Sequence, residues 1–166
     1  MPNWCYNQIE IEGPAESIAK LEKLITTEQS KFDFNAIIPM PEELRKVKSG
    51  GNKINGKQVT RWWEDEEGNK TEIPEETLNE WQEKYGATDW YDWACKNWGT
   101  KWNNTDNVEV QGDTKEGWLS YEFDTAWSPP IPVLSALSEK FPDCRIEIHY
   151  NEEGNGFSGC EVFEAG

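Results

Sequence analysis

Histidine, paired cysteines and long apolar runs are what this sequence is short of. Its 166 residues include one histidine, His149, and four cysteines, Cys5, Cys95, Cys144 and Cys160, with no C-x-x-C pair among them. That spacing excludes the standard zinc-finger ligand sets, and a chain of this length needs no disulfide framework to fold. No stretch approaches the ~18 consecutive apolar residues of a membrane span. Met1-Pro2-Asn3-Trp4 shows neither the basic region nor the apolar run of a secretory signal, so reduced thiols and a cytoplasmic location are expected. No cofactor and no metal are expected either. Basic residues become scarce beyond residue 60. Residues 1–60 hold 8 Lys/Arg and 8 Asp/Glu, whereas residues 61–166 hold 8 and 24, which places the whole net charge of -16 in the later part. A field of that sign repels nucleic-acid phosphates and attracts basic proteins or cations, so duplex nucleic acid is not an expected direct partner.

Aromatics are plentiful instead. The hydrophobic fraction is only 36% and the mean hydropathy is -0.87, yet there are ten Trp, five Tyr and six Phe. So many large apolar side chains exclude disorder and can build a core where aliphatics are few.

Taken in order, Tyr6 to Glu12 alternates, with Ile9 and Ile11 on one face, and Gly13-Pro14 closes this strand. Ile18, Leu21, Leu24 and Ile25 recur at helical spacing over about Ala15 to Thr27. Phe32-Asp33-Phe34 alternates as a short strand, and Pro39-Met40-Pro41 breaks regular structure. A basic run from Arg45 to Arg61, then Glu64-Asp65-Glu66-Glu67, reads as a mobile hairpin or loop. Pro74 opens a helix carrying Leu78, Trp81 and Tyr85, ended by Gly86. A shorter one, capped by Thr88 or Asp89, carries Trp90, Trp93, Ala94 and Asn97 up to Gly99. Val108 to Thr125 is a hairpin with Leu119, Tyr121 and Phe123 on one face. A helix through Val133, Leu134 and Leu137 follows, and strands at about Arg145–Tyr150 and Phe157–Phe163 end the chain.

The order is β-α-insertion-β-β-α-β-β. Without the insertion it is the split βαβ of ferredoxin-like folds plus one strand: an α+β domain over residues 1–166, interrupted at 44–105 by a charged loop and Trp-rich helices. Two helices should cover one face of an antiparallel sheet. The other face is left for the tryptophan-rich helices, as a second core layer.

Candidate binding residues cluster in three places. Asn97, Trp98, Thr100, Lys101 and Trp102 surround a Gly-Thr-Lys turn at a helix end, where polar side chains either satisfy free carbonyls or meet a ligand. The tryptophans there are read first as core, and specific recognition would fall to Thr100 and Lys101. Trp127 and Ser128 join a strand end to a proline-rich helix start, a place for a Ser cap or an anion. Glu152 and Glu153 precede a glycine turn and could hold a cation, although paired acids in so acidic a chain are usually an exposed turn. No catalytic residue is assigned. Ser128 lacks a nucleophile-elbow setting, and His149 has no placed partner.

Several uncommon words occur together here: Pro2-Asn3-Trp4-Cys5 with Asn7; Pro39-Met40-Pro41; Asn97-Trp98-Gly99-Thr100-Lys101-Trp102; Thr125-Ala126-Trp127-Ser128-Pro129-Pro130 with Pro132; and Glu152-Glu153-Gly154 with Phe157 and Gly159. In these the chain resembles the YubB-type, Api-like family of ferredoxin-like proteins, uncharacterised proteins of bacterial plasmids and phages. The resemblance runs over nearly the whole chain, with departure expected between Arg45 and Ile73. It implies the fold and a mobile-element origin in a bacterial cytoplasm, and brings no catalytic residues. With the charge distribution, it leads to an expected role as a non-enzymatic accessory protein that binds a basic host protein, as an anti-defence factor or DNA mimic does. The alternative is a small-ligand or nucleotide-binding or processing domain, with an aromatic pocket at Trp98–Trp102 and Trp127.

Overall fold

The structure, a computed structural model, describes residues 1–104 and 107–164. In chain order the elements are β1 (Trp4–Glu12), α1 (Ala15–Ile25), α2 (Phe34–Ile37), α3 (Glu42–Arg45), β2 (Lys48–Ile54), β3 (Lys57–Glu64), β4 (Lys70–Glu72), α4 (Glu75–Tyr85) and α5 (Trp90–Asn97). Then follow β5 (Glu109–Asp113), a 3-10 turn (Thr114–Glu116), β6 (Trp118–Ala126), α6 (Ile131–Lys140), β7 (Arg145–Glu152) and β8 (Phe157–Phe163). The chain divides into two units, Met1–Pro39 with Asn97–Gly166, and Met40–Lys96. Thr105, the expected far end of the insertion, lies outside the described residues.

The first unit is a five-stranded antiparallel sheet of order β5-β6-β1-β7-β8. Strand β6 separates β1 from β5, which gives the split βαβ arrangement, and β8 adds an edge strand beside β7. This is the ferredoxin-like α+β fold. Helices α1 and α6 lie on one face. Strict alternation turns Ile9, Ile11, Leu119, Tyr121, Phe123, Ile146 and Ile148 toward them, all buried together with Ile18, Leu21, Leu134 and Leu137. Full burial of each such aliphatic contributes about 1.5–3 kcal/mol. Asn7 is a buried polar member of this layer, as are Thr125 and Glu152. Its amide donates to the Cys5 carbonyl at 3.0 Å, the Phe123 carbonyl at 3.2 Å and Thr125 Oγ1 at 2.9 Å, so it is buried with its donors satisfied.

Phe32-Asp33-Phe34 does not form the expected strand. Asp33 caps α2 instead, its carboxylate accepting from the Asn35 amide at 2.9 Å and the Thr27 hydroxyl at 2.8 Å. Phe32 and Phe34 are both buried, with their rings set against Tyr121 and Phe123. The cap outweighs a three-residue alternation with no partner strand.

In the second unit, the stretch expected to be a mobile hairpin or loop is a hairpin, β2-β3, extended by β4 into an antiparallel meander. Two local signals explain it. Asn55 and Gly56 both take positive φ, 51° and 80°, the backbone a two-residue hairpin turn requires. Asp65 closes the second turn by accepting from the Glu67 and Asn69 amides at 3.0 and 2.8 Å. Val59, Trp62 and Ile73 are buried. Charge complementarity is used sparingly, as in Lys57 to Glu72 at 2.8 Å and Arg61 to the buried Asp89 at 2.8 Å. Helix α4 ends at Gly86 in the left-handed conformation, as its glycine indicates. Among the described residues no helix is long and apolar enough to cross a membrane.

Candidate functional site

The face of the five-stranded sheet opposite α1 and α6 is built mainly from charged and aromatic side chains rather than aliphatic ones. The register sets Glu10, Glu12, Glu109, Asp113, Glu122, Asp124 and Glu147 on it, with Arg145 as its one guanidinium. Glu10, Glu12, Glu109, Asp113 and Asp124 are exposed, and so are Trp4, Tyr6 and Trp118 on the same parity. So charged a strand face offers too little apolar surface to bury. Two carboxylate pairs are directly opposed across strands, Glu109 with Glu122 and Glu10 with Glu147. Directly opposed like charges destabilise a sheet, by an amount on the scale of roughly 0.2–1 kcal/mol per cross-strand pair.

At one corner this face runs into an aromatic cleft of about 500 Å³ lined by Trp4, Trp102, Asn103, Asn104, Asn107, Asp124, Thr125 and Ala126. The Trp4 and Trp102 rings lie 6.1 Å apart at 42°. Asn103 fixes the cleft's base: its side chain accepts from the Phe34 amide at 2.9 Å and donates to Asp33 at 2.7 Å. Partial burial pushes the Asp124 carboxyl up. Burial and the neighbouring Glu122 carboxylate do the same to the Tyr6 phenol. Trp4, Tyr6 and Asp124 also line a second cleft of about 360 Å³, which continues to Glu152, Glu153 and Gly154.

The residues singled out in the sequence divide between scaffold and surface. Asn97 is the last residue of α5. Trp98 is buried, its indole N–H donating to the Ile38 carbonyl at 2.9 Å. Thr100 is buried and donates to the Ala126 carbonyl at 2.9 Å, while the Ser128 hydroxyl donates to the Gly99 carbonyl. These bonds fasten the 97–102 segment to the end of β6. Glu152 and Glu153 part company. Glu152 is fully buried and accepts from the Gly154 and Asn155 amides at 2.6 and 2.8 Å, whereas Glu153 is exposed.

Lys101, Trp102 and Trp127 do come together. The Lys101 ammonium sits 4.0 Å from the Trp102 ring centre and 4.1 Å from that of Trp127, a cation held between two indoles. Trp102 and Trp127 are exposed and so are not core. Trp127 has φ of +68°, unusual for a bulky residue, and its amide donates to the Asn3 carbonyl at 2.8 Å. Trp4, Tyr6 and Asp124 are not among the candidate binding residues read from the sequence. A strand begun at Tyr6 leaves Trp4 outside it, but extending the alternation by two residues puts both aromatics on the face opposite Ile9 and Ile11.

Fold and face together define a ferredoxin-like protein with one helix-covered and one open, acidic sheet surface. The family resemblance is borne out over residues 97–166 and in the fold. Residues 97–166 match the ferredoxin-like domain in Api92-like protein. The chain is 32% identical over 84 residues to the uncharacterised protein YubB of Escherichia coli (strain K12), a match covering 49% of this chain and 55% of YubB, so it spans about half the length of that relative. The crystal structure of a protein api92 from Yersinia pseudotuberculosis shares the fold, with a TM-score of 0.58 at 14% identity over 99% of this chain and 95% of that one.

Proposed function

We propose that this chain is a non-enzymatic binding protein, carried by a phage or plasmid, that engages a basic protein of its bacterial host through the open face of the sheet. The supporting observation is the composition of that face: seven carboxylates against one guanidinium, two carboxylate pairs directly opposed. Repulsion between Glu109 and Glu122 is relieved when a cationic surface docks, whereas Glu147 is already held by Arg145. The cleft beside it suits the same partner. Trp4 and Trp102 offer ring faces to an Arg or Lys side chain, and Asp124 offers the counter-charge. Such a surface presents carboxylates to a DNA-binding or restriction-type defence factor where phosphates would otherwise sit.

The test is capture from host lysate at about 0.05 M and about 0.5 M salt, using the full chain and a Glu10→Lys, Glu122→Lys variant. A basic protein should be retained at low salt, released at high salt and lost from the variant. Failure to retain one, or retention unchanged by the substitutions, overturns the proposal. The second reading is a small-ligand or nucleotide site, favoured by the volume of the Trp4–Trp102 cleft alone.

A further inference from the structure

His149 on β7 and Cys160 on β8 are directly opposed across the two strands, and Glu147 lies two residues before His149 on the same strand. All three side chains therefore stand on the open face. Their donor atoms converge: His149 Nε2 is 2.6 Å from Glu147 Oε1, and the Cys160 sulfur is 3.8 Å from that nitrogen and 3.9 Å from that oxygen. One imidazole nitrogen, one carboxylate oxygen and one sulfur lie within 4.8 Å of one another.

Two chemistries use such a trio, and the geometry separates them. A nucleophilic Cys–His–acid arrangement needs the thiol on one ring nitrogen and the carboxylate on the other, so that the acid orients the base. Here both groups face Nε2. Convergence on one point is what a shared cation requires. Tetrahedral bonds of about 2.3 Å to sulfur and about 2.0–2.1 Å to nitrogen and oxygen set the sulfur about 3.5 Å from the other two donors, and those two about 3.3 Å apart. The sulfur separations are already near this, and only the imidazole and carboxylate need to part, by under ~1 Å. The carboxylate is also oriented. Arg145 holds Oε2 and is itself paired with Glu164 at 2.9 Å, leaving Oε1 turned toward His149 and Cys160. A hydrogen-bonded outer partner of this kind fixes metal-ligand carboxylates.

We propose that Glu147, His149 and Cys160 form a site for a borderline-soft divalent cation of the Zn²⁺ type, with three protein ligands and a fourth position open on the exposed face. Thiolate and carboxylate supply two negative charges, which match the cation, and the surrounding acidic face raises its local concentration. The site shares Glu147 with the acidic face, but it rests on three convergent donors of different kinds at the β7–β8 edge and not on the docking proposal.

The test titrates the full-length, reduced, metal-free protein with Co²⁺ alone and then displaces it with Zn²⁺ alone. The wild type should show a thiolate-to-Co²⁺ charge-transfer absorption that Zn²⁺ abolishes. Cys160→Ser should remove that absorption, His149→Gln should weaken Zn²⁺ binding at least about tenfold, and Cys95→Ser should change neither. His149 and Cys160 are exposed, so these variants retain the fold, as circular dichroism will show. No charge-transfer absorption in the wild type, its survival in Cys160→Ser, or unchanged Zn²⁺ affinity in His149→Gln overturns the proposal.

Discussion

Replacing Lys101 by methionine isolates what its cation contributes between two indoles. The ammonium lies 4.0 and 4.1 Å from the ring centres of Trp102 and Trp127, well inside the ~6 Å range of a cation–π contact. At a partly exposed position each ring is worth about 0.5–1 kcal/mol, so losing both costs about 1–2 kcal/mol. Methionine keeps a flexible apolar stem of similar length, so packing against the rings changes little. With a urea slope of roughly 2 kcal/mol per molar, the unfolding midpoint should fall by about 0.5–1 M. The assay is urea unfolding followed both by far-UV circular dichroism and by tryptophan fluorescence, whose coincidence establishes a single transition. Lys101→Arg, which keeps a stacking cation, should stay within ~0.5 kcal/mol of the wild type. An unchanged midpoint in Lys101→Met, or an equal fall in Lys101→Arg, refutes the assignment of Lys101 to a cation clamp.

Gly99→Ala should destabilise by about 2–4 kcal/mol, from roughly 1–2 for the left-handed backbone and the remainder from overpacking. Gly99 has φ of +80°, and an added Cβ meets Pro132 Cδ at 2.8 Å and the Pro129 carbonyl at 3.1 Å; a melting temperature within ~2 °C of the wild type would contradict this. The thiols of Cys5 and Cys144 are pushed by burial from 9.0 to about 11, so the folded state resists losing these protons. Stability is therefore unaffected below the unfolded thiol's range and declines as pH rises from about 9 to about 11, where the unfolded chain gains thiolate first. Equilibrium unfolding across that range should show the decline, smaller in Cys5→Ala, and a flat profile would contradict it.

Much of the first unit was legible because its signals are local. Alternation in β1, β6 and β7 and the apolar period of α1 each point to one buried face, and the order of elements then leaves few topologies. The second unit was less so. Its hairpin rests on Asn55-Gly56 within a run of lysines, whose charge masks the turn signal, and only Val59, Trp62 and Ile73 mark the buried side. The site divided for another reason. Thr100 and Ser128 occur in a specific motif, but a motif does not say whether a hydroxyl faces a ligand or the backbone. Their acceptors are the Ala126 and Gly99 carbonyls, 26 and 29 residues away in sequence, and no local pattern reports such a bond.

The open face also narrows what can occupy it. A ferredoxin-like sheet with helices on one side leaves its other side to the composition of the strands. An apolar face would invite a second copy of the chain or a further layer. Here a second copy would set carboxylates against carboxylates, adding to the repulsion already built into Glu109–Glu122. A nucleic acid would meet the same sign of charge. The cationic partner proposed above suits this composition, and the exposed Trp4, Tyr6 and Trp118 are compatible with it, because ring faces attract the cations that carboxylates draw in. The aromatic richness that reads as core-building in the sequence is thus partly placed on the outside, beside the acids of the same sheet face.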